Sequence, residues 1–288
     1  MPIIALADSR WVIMEQYFAS YQLMFFLPLV AIAIILESYF YKKKFKRPYP
    51  WRESVTSLGV GLGHQLTGVI NRLLIQGVMA GFVWQYRIYT MPDQWWVYLA
   101  LFVGLEFCYY WYHRASHEVF LMWATHSTHH SPNEMTLSAS YRLGWMPFLS
   151  FSWIFFLPLV FLGFSPILVF TMLSINLMYQ FWLHTKLIGR LGILEGILNT
   201  PSSHRVHHAS NSIYLDKNYG GILILFDRLF GTYAKEEQGI NIAYGLTHPN
   251  HSSNPIEVVF RVWRELVMKV FNTPGLKNKL RIIFLPPA

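Results

Sequence analysis

Eight histidines fall into three tight groups, His113-x3-His117, His126-x2-His129-His130 and His204-x2-His207-His208. Residues three and four apart share a helix face, so each group can aim two or three imidazoles at one point. Neutral imidazole is the commonest protein metal ligand. A ninth candidate, His184, ends an apolar segment between the second and third groups and reads either as a ligand or as a satisfied core histidine. Structural zinc is saturated by four ligands and catalytic zinc by three plus a water, so eight or nine imidazoles suit two metals in one pocket. His64, His248 and His251 lack the spacing and read as bystanders.

Supporting groups follow from position. Carboxylates and amides usually hold the outer nitrogen of a ligating imidazole, and Glu118, Asn133, Glu134, Asp216 and Asn218 are near enough in sequence, with Glu118 and Asp216 foremost. Counting back from His117 and His113 in helical steps passes Tyr110 or Tyr109 and reaches Glu106, within an apolar stretch. An ionisable residue at such depth is a functional candidate, although a buried structural carboxyl paired with Arg72 would look the same. Asn176, Gln180 and His184 follow one another at intervals of four, a polar stripe that ends in histidine.

The elements that carry these residues belong in a bilayer. Of the 288 residues 53% are hydrophobic and only 13% charged, against roughly 25% charged in a soluble domain. Four apolar stretches, Tyr21 to Tyr41, Trp95 to Tyr112, Pro147 to Leu162 and Pro166 to Leu183, are near the ~20 residues needed to cross hydrocarbon, the third being short. A fifth, about Leu58 to Trp84, contains His64, Gln65, Asn71, Arg72 and Gln76, which lie mostly on one helical stripe and would face protein.

Lys42, Lys43, Lys44, Lys46, Arg47 and Arg52 crowd after the first span, so the positive-inside rule places the N-terminus outside. Five spans then bring all three histidine groups to the cytoplasmic face, on short helices joined by loops such as Ser131 to Glu134 and Ser210 to Asn218. The first stretch lacks the flanks of a cleaved signal and reads as an anchor. The expected fold is therefore all-α: one integral membrane bundle of four to five spans over residues 1–288, with a cytoplasmic helical cap bearing a di-metal site. The segment Pro255 to Phe271 sets Glu257, Arg261, Glu265 and Lys269 on one stripe, as in an interfacial helix or one packed on the cap. The lone Cys108 sits inside a span, which excludes disulfides and thiolate sites. The net charge of +8 suits an anionic leaflet better than nucleic acid.

Imidazole alone does not choose between zinc, iron and copper. Location does: a cytoplasmic-face pocket between apolar helices is placed for acyl or alkyl chains, whose C–H bonds resist hydrolysis. Functionalising them calls for dioxygen activated at a redox metal, hence two iron ions, with a membrane lipid and O2 as substrates. No Rossmann glycine fingerprint is present, and His248-Pro249 does not continue into a cytochrome b5 haem motif, so electrons must come from a separate donor.

The boxes HRASH, HSTHH and HRVHH resemble those of the membrane fatty acid hydroxylase and sterol desaturase superfamily. The resemblance covers roughly Glu106 to Pro249. The runs YYWYHRASHE, MWATHSTHH, QFWLHT, NTPSSHRVHH, DKNYGG, FDRLFGTY and YGLTHP are most similar to its alkylglycerol monooxygenase branch. That resemblance implies a non-haem di-iron enzyme with metal ligation by His113, His117, His126, His129, His130, His204, His207 and His208. It also implies Glu118 as a further required residue, a ligand position at His184, an ether-lipid substrate, and tetrahydrobiopterin or a redox protein as donor. The bacterial inner membrane or the endoplasmic reticulum would house such a protein. Ser203 departs from the branch, whose animal members usually have another histidine there.

Three other chemistries bear comparison. A desaturase would share the site, since both reactions begin with hydrogen abstraction. A membrane zinc hydrolase could use histidine and Glu118 to activate water, with no reductant. A metal transporter would place ligands at the midplane on repeated or broken helices, and no repeat is visible.

Overall fold

The computed structural model describes residues 27–247 and 252–287, and every regular element among them is a helix. Two isolated antiparallel bridges, Leu198 with Leu223 and Ala209 with Tyr244, are the other backbone pairings of note. His248 and His251 lie outside the described residues. The chain parts into two compact units, residues 1–49 and 50–288.

In the first unit α1 (Leu27–Phe45) ends on Lys42, Lys43 and Lys44, cations set against the partial negative charge of a helix C-terminus. Within it the buried Glu37 carboxylate accepts a hydrogen bond from the Tyr49 hydroxyl at 2.8 Å. The expected first span, Tyr21 to Tyr41, lies partly outside the described residues.

The second unit begins with α2 (Trp51–Gly81), which tightens into a turn of 3-10 helix at Val83–Tyr86. The run Trp51–Tyr86 is the one helix among the described residues that is long and apolar enough to cross a membrane. Val55, Leu58, Leu62, Leu66, Val69 and Leu73 recur on it at spacings of three and four and are all exposed, a stripe suited to hydrocarbon. His64 and Asn71 point the other way: His64 Nδ1 donates to the Gly144 carbonyl at 2.9 Å, and Asn71 Nδ2 to that of Trp145 at 3.0 Å. Gln65 and Arg72, grouped with them on the sequence pattern, are exposed instead.

Helix α3 (Trp95–Glu118) buries Val97, Leu101, Leu105 and Cys108 against Met79 of α2 and Val169 of a later helix. It outruns the expected span Trp95 to Tyr112, and the extra turns carry His113 and His117. Extended backbone at Val119 breaks the chain into α4 (Phe120–His130). The stretch Pro147 to Leu162 is no continuous helix. Phe151 turns through a left-handed conformation (φ 56), Ser152–Phe156 is 3-10, and α5 (Leu157–Leu162) has only six residues. Pro158 cannot donate to a preceding turn, so it opens a helix rather than extending one.

Helix α6 (Pro166–Phe181) is capped by Ser165 and carries Asn176 and Gln180 on its buried face. Thr200 caps α7 (Pro201–His207), and Asp227 sits in the short α8 (Leu225–Leu229). Helix α9 (Pro255–Asn272) sinks Val258, Val259, Val262 and Leu266 against Val60 of α2 and Phe120 and Ala124 of α4. Each such aliphatic contributes about 1.5–3 kcal/mol. It thus packs on the helices that hold the site. Helix α10 (Leu276–Phe284) follows, and the carbonyl of Leu285, just past its end, accepts from Phe120 N at 3.0 Å.

Candidate metal centre

Nine imidazoles converge in two adjoining groups. His113, His117, His126, His130 and His207 form one, and His129, His184, His204 and His208 the other, with the ligand atoms of each within 4.8 Å of one another. The x2 spacing explains the sorting. On α4, His126 and His130 are one turn apart and face the first group, while His129 is rotated about 100° from His130 and faces the second. On α7 the pattern is exchanged, with His204 and His208 in the second group and His207 in the first. The groups share a wall: the rings of His130 and His208 stack at 4.4 Å, although they belong to different groups.

Backbone carbonyls set the tautomers. His113 Nδ1 donates to Tyr219 at 2.7 Å, His129 Nδ1 to Arg142 at 3.3 Å, His184 Nδ1 to Gln180 at 2.9 Å and His207 Nδ1 to Lys217 at 2.9 Å. A carbonyl only accepts, so the hydrogen is on Nδ1 and Nε2 keeps a lone pair. In the second group Nε2 of His129 and of His184 then face each other, lone pair to lone pair, at 3.4 Å. Two such atoms repel unless a cation lies between them. Elsewhere the buried Nε2 atoms of His117 and His207 have no hydrogen-bond partner. Converging Nε2 lone pairs, with outer nitrogens held by carbonyls, are the donor set a metal needs.

Burial keeps the rings neutral. It pushes His113 down to about 3 and His184 to about 4, the neighbouring His117 adding to the effect at His113. His126, His129, His130, His204, His207 and His208 lie well below the ordinary imidazole value for the same reason, with mutual repulsion adding to it.

The acidic candidates occupy three different settings. Asp216, at φ +59, brings Oδ1 to 3.4 Å from His117 Nδ1, and that contact holds its carboxyl below the usual range. Glu118 is exposed and pairs with Arg114 at 2.8 Å, one turn back on α3. Glu106 is buried and touches no histidine. Its carboxylate accepts from Asn176 Nδ2 and from the amides of Ile222 and Leu223 at 2.9 and 2.8 Å, so its partner is not Arg72. From there Gln180 donates to Asn176 at 2.6 Å and lends its carbonyl to His184, a continuous polar path along α6 to the second group. Asn133 and Glu134 serve Glu53 and Lys186, while Asn218 ties Ser203 to Ala234.

Sequence reasoning passed over two buried acids. Asp227 accepts from the amides of Tyr219 and Gly220 and from the Thr232 hydroxyl, each at 2.7 Å, and burial raises it to about 6. It braces the turn whose Tyr219 carbonyl orients His113. Glu195 accepts from the Thr200, Ser202 and Ser203 hydroxyls at 2.8, 3.1 and 3.3 Å and so fixes the start of α7. Their one sequence signal is an acid set among apolar neighbours, in LFDRLF and ILEGIL.

Two cavities reach the centre. One of about 240 Å³ meets His117, His130, His207 and His208 and has Asp216, Arg261 and Glu265 on its wall. The other, about 210 Å³, meets His126 and His129 and runs between α2, α3 and α6 over Ile75, Met79, Phe156, Val169 and Leu173.

Residues 98–232 match the fatty acid hydroxylase family model. The chain is similar to alkylglycerol monooxygenase from Homo sapiens, 40% identical over 266 residues, covering 92% of this chain and 58% of the relative. The Danio rerio protein of that name is 40% identical over 237 residues, covering 81% and 52%. An ornithine lipid hydroxylase, OlsE from Rhizobium tropici, is 30% identical over 166 residues, covering 56% and 50%. The chain thus spans little more than half the length of these relatives. No solved structure matches it.

Proposed function

We propose that this chain, whose residues 98–232 match the fatty acid hydroxylase model, is a membrane-bound, non-haem di-iron oxygenase of that family. It hydroxylates a long-chain lipid with O2 and an external reductant, an ether lipid being the first substrate class to test. The observation that carries this reading is the convergence of nine imidazoles in two groups at the end of an apolar cavity. The relatives named for lipid hydroxylation and alkylglycerol oxidation support it.

In this account the nine histidines hold two iron ions, which would supply activation of dioxygen for cleavage of a C–H bond. The protein does the rest. Carbonyls of Tyr219, Arg142, Gln180 and Lys217 fix the rings so that each Nε2 points inward. Asp216 holds Nδ1 of His117 and strengthens that ring as a donor. The apolar cavity receives the chain and excludes water beside His126 and His129. The other cavity, which has Asp216, Arg261 and Glu265 among its apolar wall residues, gives the reductant, tetrahydrobiopterin or a redox protein, its own approach. Further membrane crossings beside α2, giving four to five spans in all, would set the histidine groups on the cytoplasmic face of an inner membrane or endoplasmic reticulum.

Lipid mass spectrometry of cells with and without the gene tests the reaction class. A lipid gaining one oxygen supports hydroxylation, and a loss of two hydrogens would replace it by desaturation, the activity named for a sterol desaturase relative. Products of hydrolysis would contradict both.

A further inference from the structure

The apolar cavity contains a histidine outside the metal groups. His64 lies on its wall, together with His126 and His129. Its Nδ1 is 2.9 Å from the Gly144 carbonyl, which can only accept, so Nδ1 carries the hydrogen and Nε2 is left as an acceptor. Among the described residues nothing donates to that Nε2. Other polar groups on the wall are of the same kind. Tyr109 gives its hydroxyl hydrogen to Gln180, Ser116 to the Tyr112 carbonyl, and Ser150 and Ser152 to that of Pro147. With its hydrogen so engaged each oxygen is left with acceptor lone pairs, and the Tyr112 phenol, beside Ser116, is the group that can act either way.

An apolar chamber whose polar points are mostly acceptors discriminates by hydrogen-bond type. A lipid with a free hydroxyl can donate to it. One whose polar atoms are only ether or ester oxygens sets lone pair against lone pair and loses its hydration without compensation. Resting on the lipid-oxygenase reading above, we propose that His64 is a substrate-recognition residue, whose Nε2 accepts a hydrogen bond from a free hydroxyl on the lipid. The position is built for this task. Gly144, which anchors the ring, is pressed against Thr125, since a Cβ there would stand 2.4 Å from the Thr125 carbonyl oxygen, and Thr125 adjoins the ligand His126. The ring is therefore held at a fixed place relative to the metal centre without belonging to it.

The test uses the full-length, metal-loaded protein in nanodiscs, with a tritiated hexadecyl glycerol ether and its di-O-methyl derivative as probes. Binding and turnover of both are measured for wild type, His64→Leu and His64→Gln. Wild type should bind the free diol roughly three- to tenfold more tightly than the capped ether, as one neutral hydrogen bond allows. His64→Leu should erase that preference with metal content unchanged, and His64→Gln, which retains an acceptor, should recover part of it. Equal preference in wild type and His64→Leu, with metal intact in both, would overturn the proposal, as would loss of metal in both variants. A preference that follows His64 without any oxidised product would uphold the recognition role and count against the oxygenase reading instead.

Discussion

His184 separates the two metal groups experimentally, because the second group has four imidazoles and loses a quarter of its donors with this one. His184→Ala should lower iron from about two ions per chain toward one and abolish turnover, as read by metal analysis of gently purified, iron-replete protein. Retention of both ions and of activity would return His184 to the core. Glu118 is the contrasting case. Its exposed pair with Arg114 is worth about 0–1 kcal/mol, so Glu118→Ala should leave metal content and melting temperature nearly unchanged, and any loss of turnover would then report a role other than ligation. The imidazoles themselves make acid the enemy of the metal-free fold. His113 and His184 have folded values of about 3 and 4, against 6.5 for an exposed imidazole, so between those limits the unfolded chain binds more protons than the folded one. Stability of the metal-stripped protein should be full above pH 6.5 and fall as pH drops toward 4, which denaturation at stepped pH can follow. Chemistry at this scale was the most legible part of the sequence: the box spacings singled out the eight histidines, and interval-four spacing from Asn176 pointed to His184. Which imidazole joins which group was not legible, because it depends on how α4 and α7 are rotated against each other.

Between helices, the polar path from Glu106 to His184 ties α3 and α6 to the second histidine group. Glu106 joins α3 to the 220–223 loop and, through Asn176, to α6. Glu106→Gln can keep an oxygen on the two amide N–H groups only by setting its own NH2 against the Asn176 NH2, and should cost about 1–3 kcal/mol of stability. Gly221 tests the same joint from the other side, since a Cβ there would lie 2.1 Å from Asn176 Nδ2. Gly221→Ala should likewise lower the melting temperature and loosen metal at the second group, whereas Gly189→Ala, with open space around it, should do neither. Elements were only partly legible. Helices α2, α3 and α6 follow from continuous apolar runs, and α9 from its stripe. Pro147 to Leu162 reads as a span on hydropathy and is broken in three dimensions, because a window average does not register Pro158 or the left-handed turn at Phe151. Asp227 and Glu195 were missed because their partners are backbone amides and hydroxyls, which leave no pattern of residue types.

For the whole molecule, the arrangement is a candidate metal centre with two approaches of unlike character: one cavity with Asp216, Arg261 and Glu265 on its wall, and one lined by residues of α2, α3, α4, α6 and the 143–156 segment. With lipid in the apolar cavity and reductant in the other, as proposed, raising one should not compete with the other in steady-state kinetics. On the oxygenase reading, the oxygen in the product comes from O2. Membranes containing the protein, a long-chain ether lipid and a reductant, incubated under isotopically labelled dioxygen, should yield a lipid carrying one labelled oxygen atom. Product formed without O2, or bearing oxygen from water, would contradict the account.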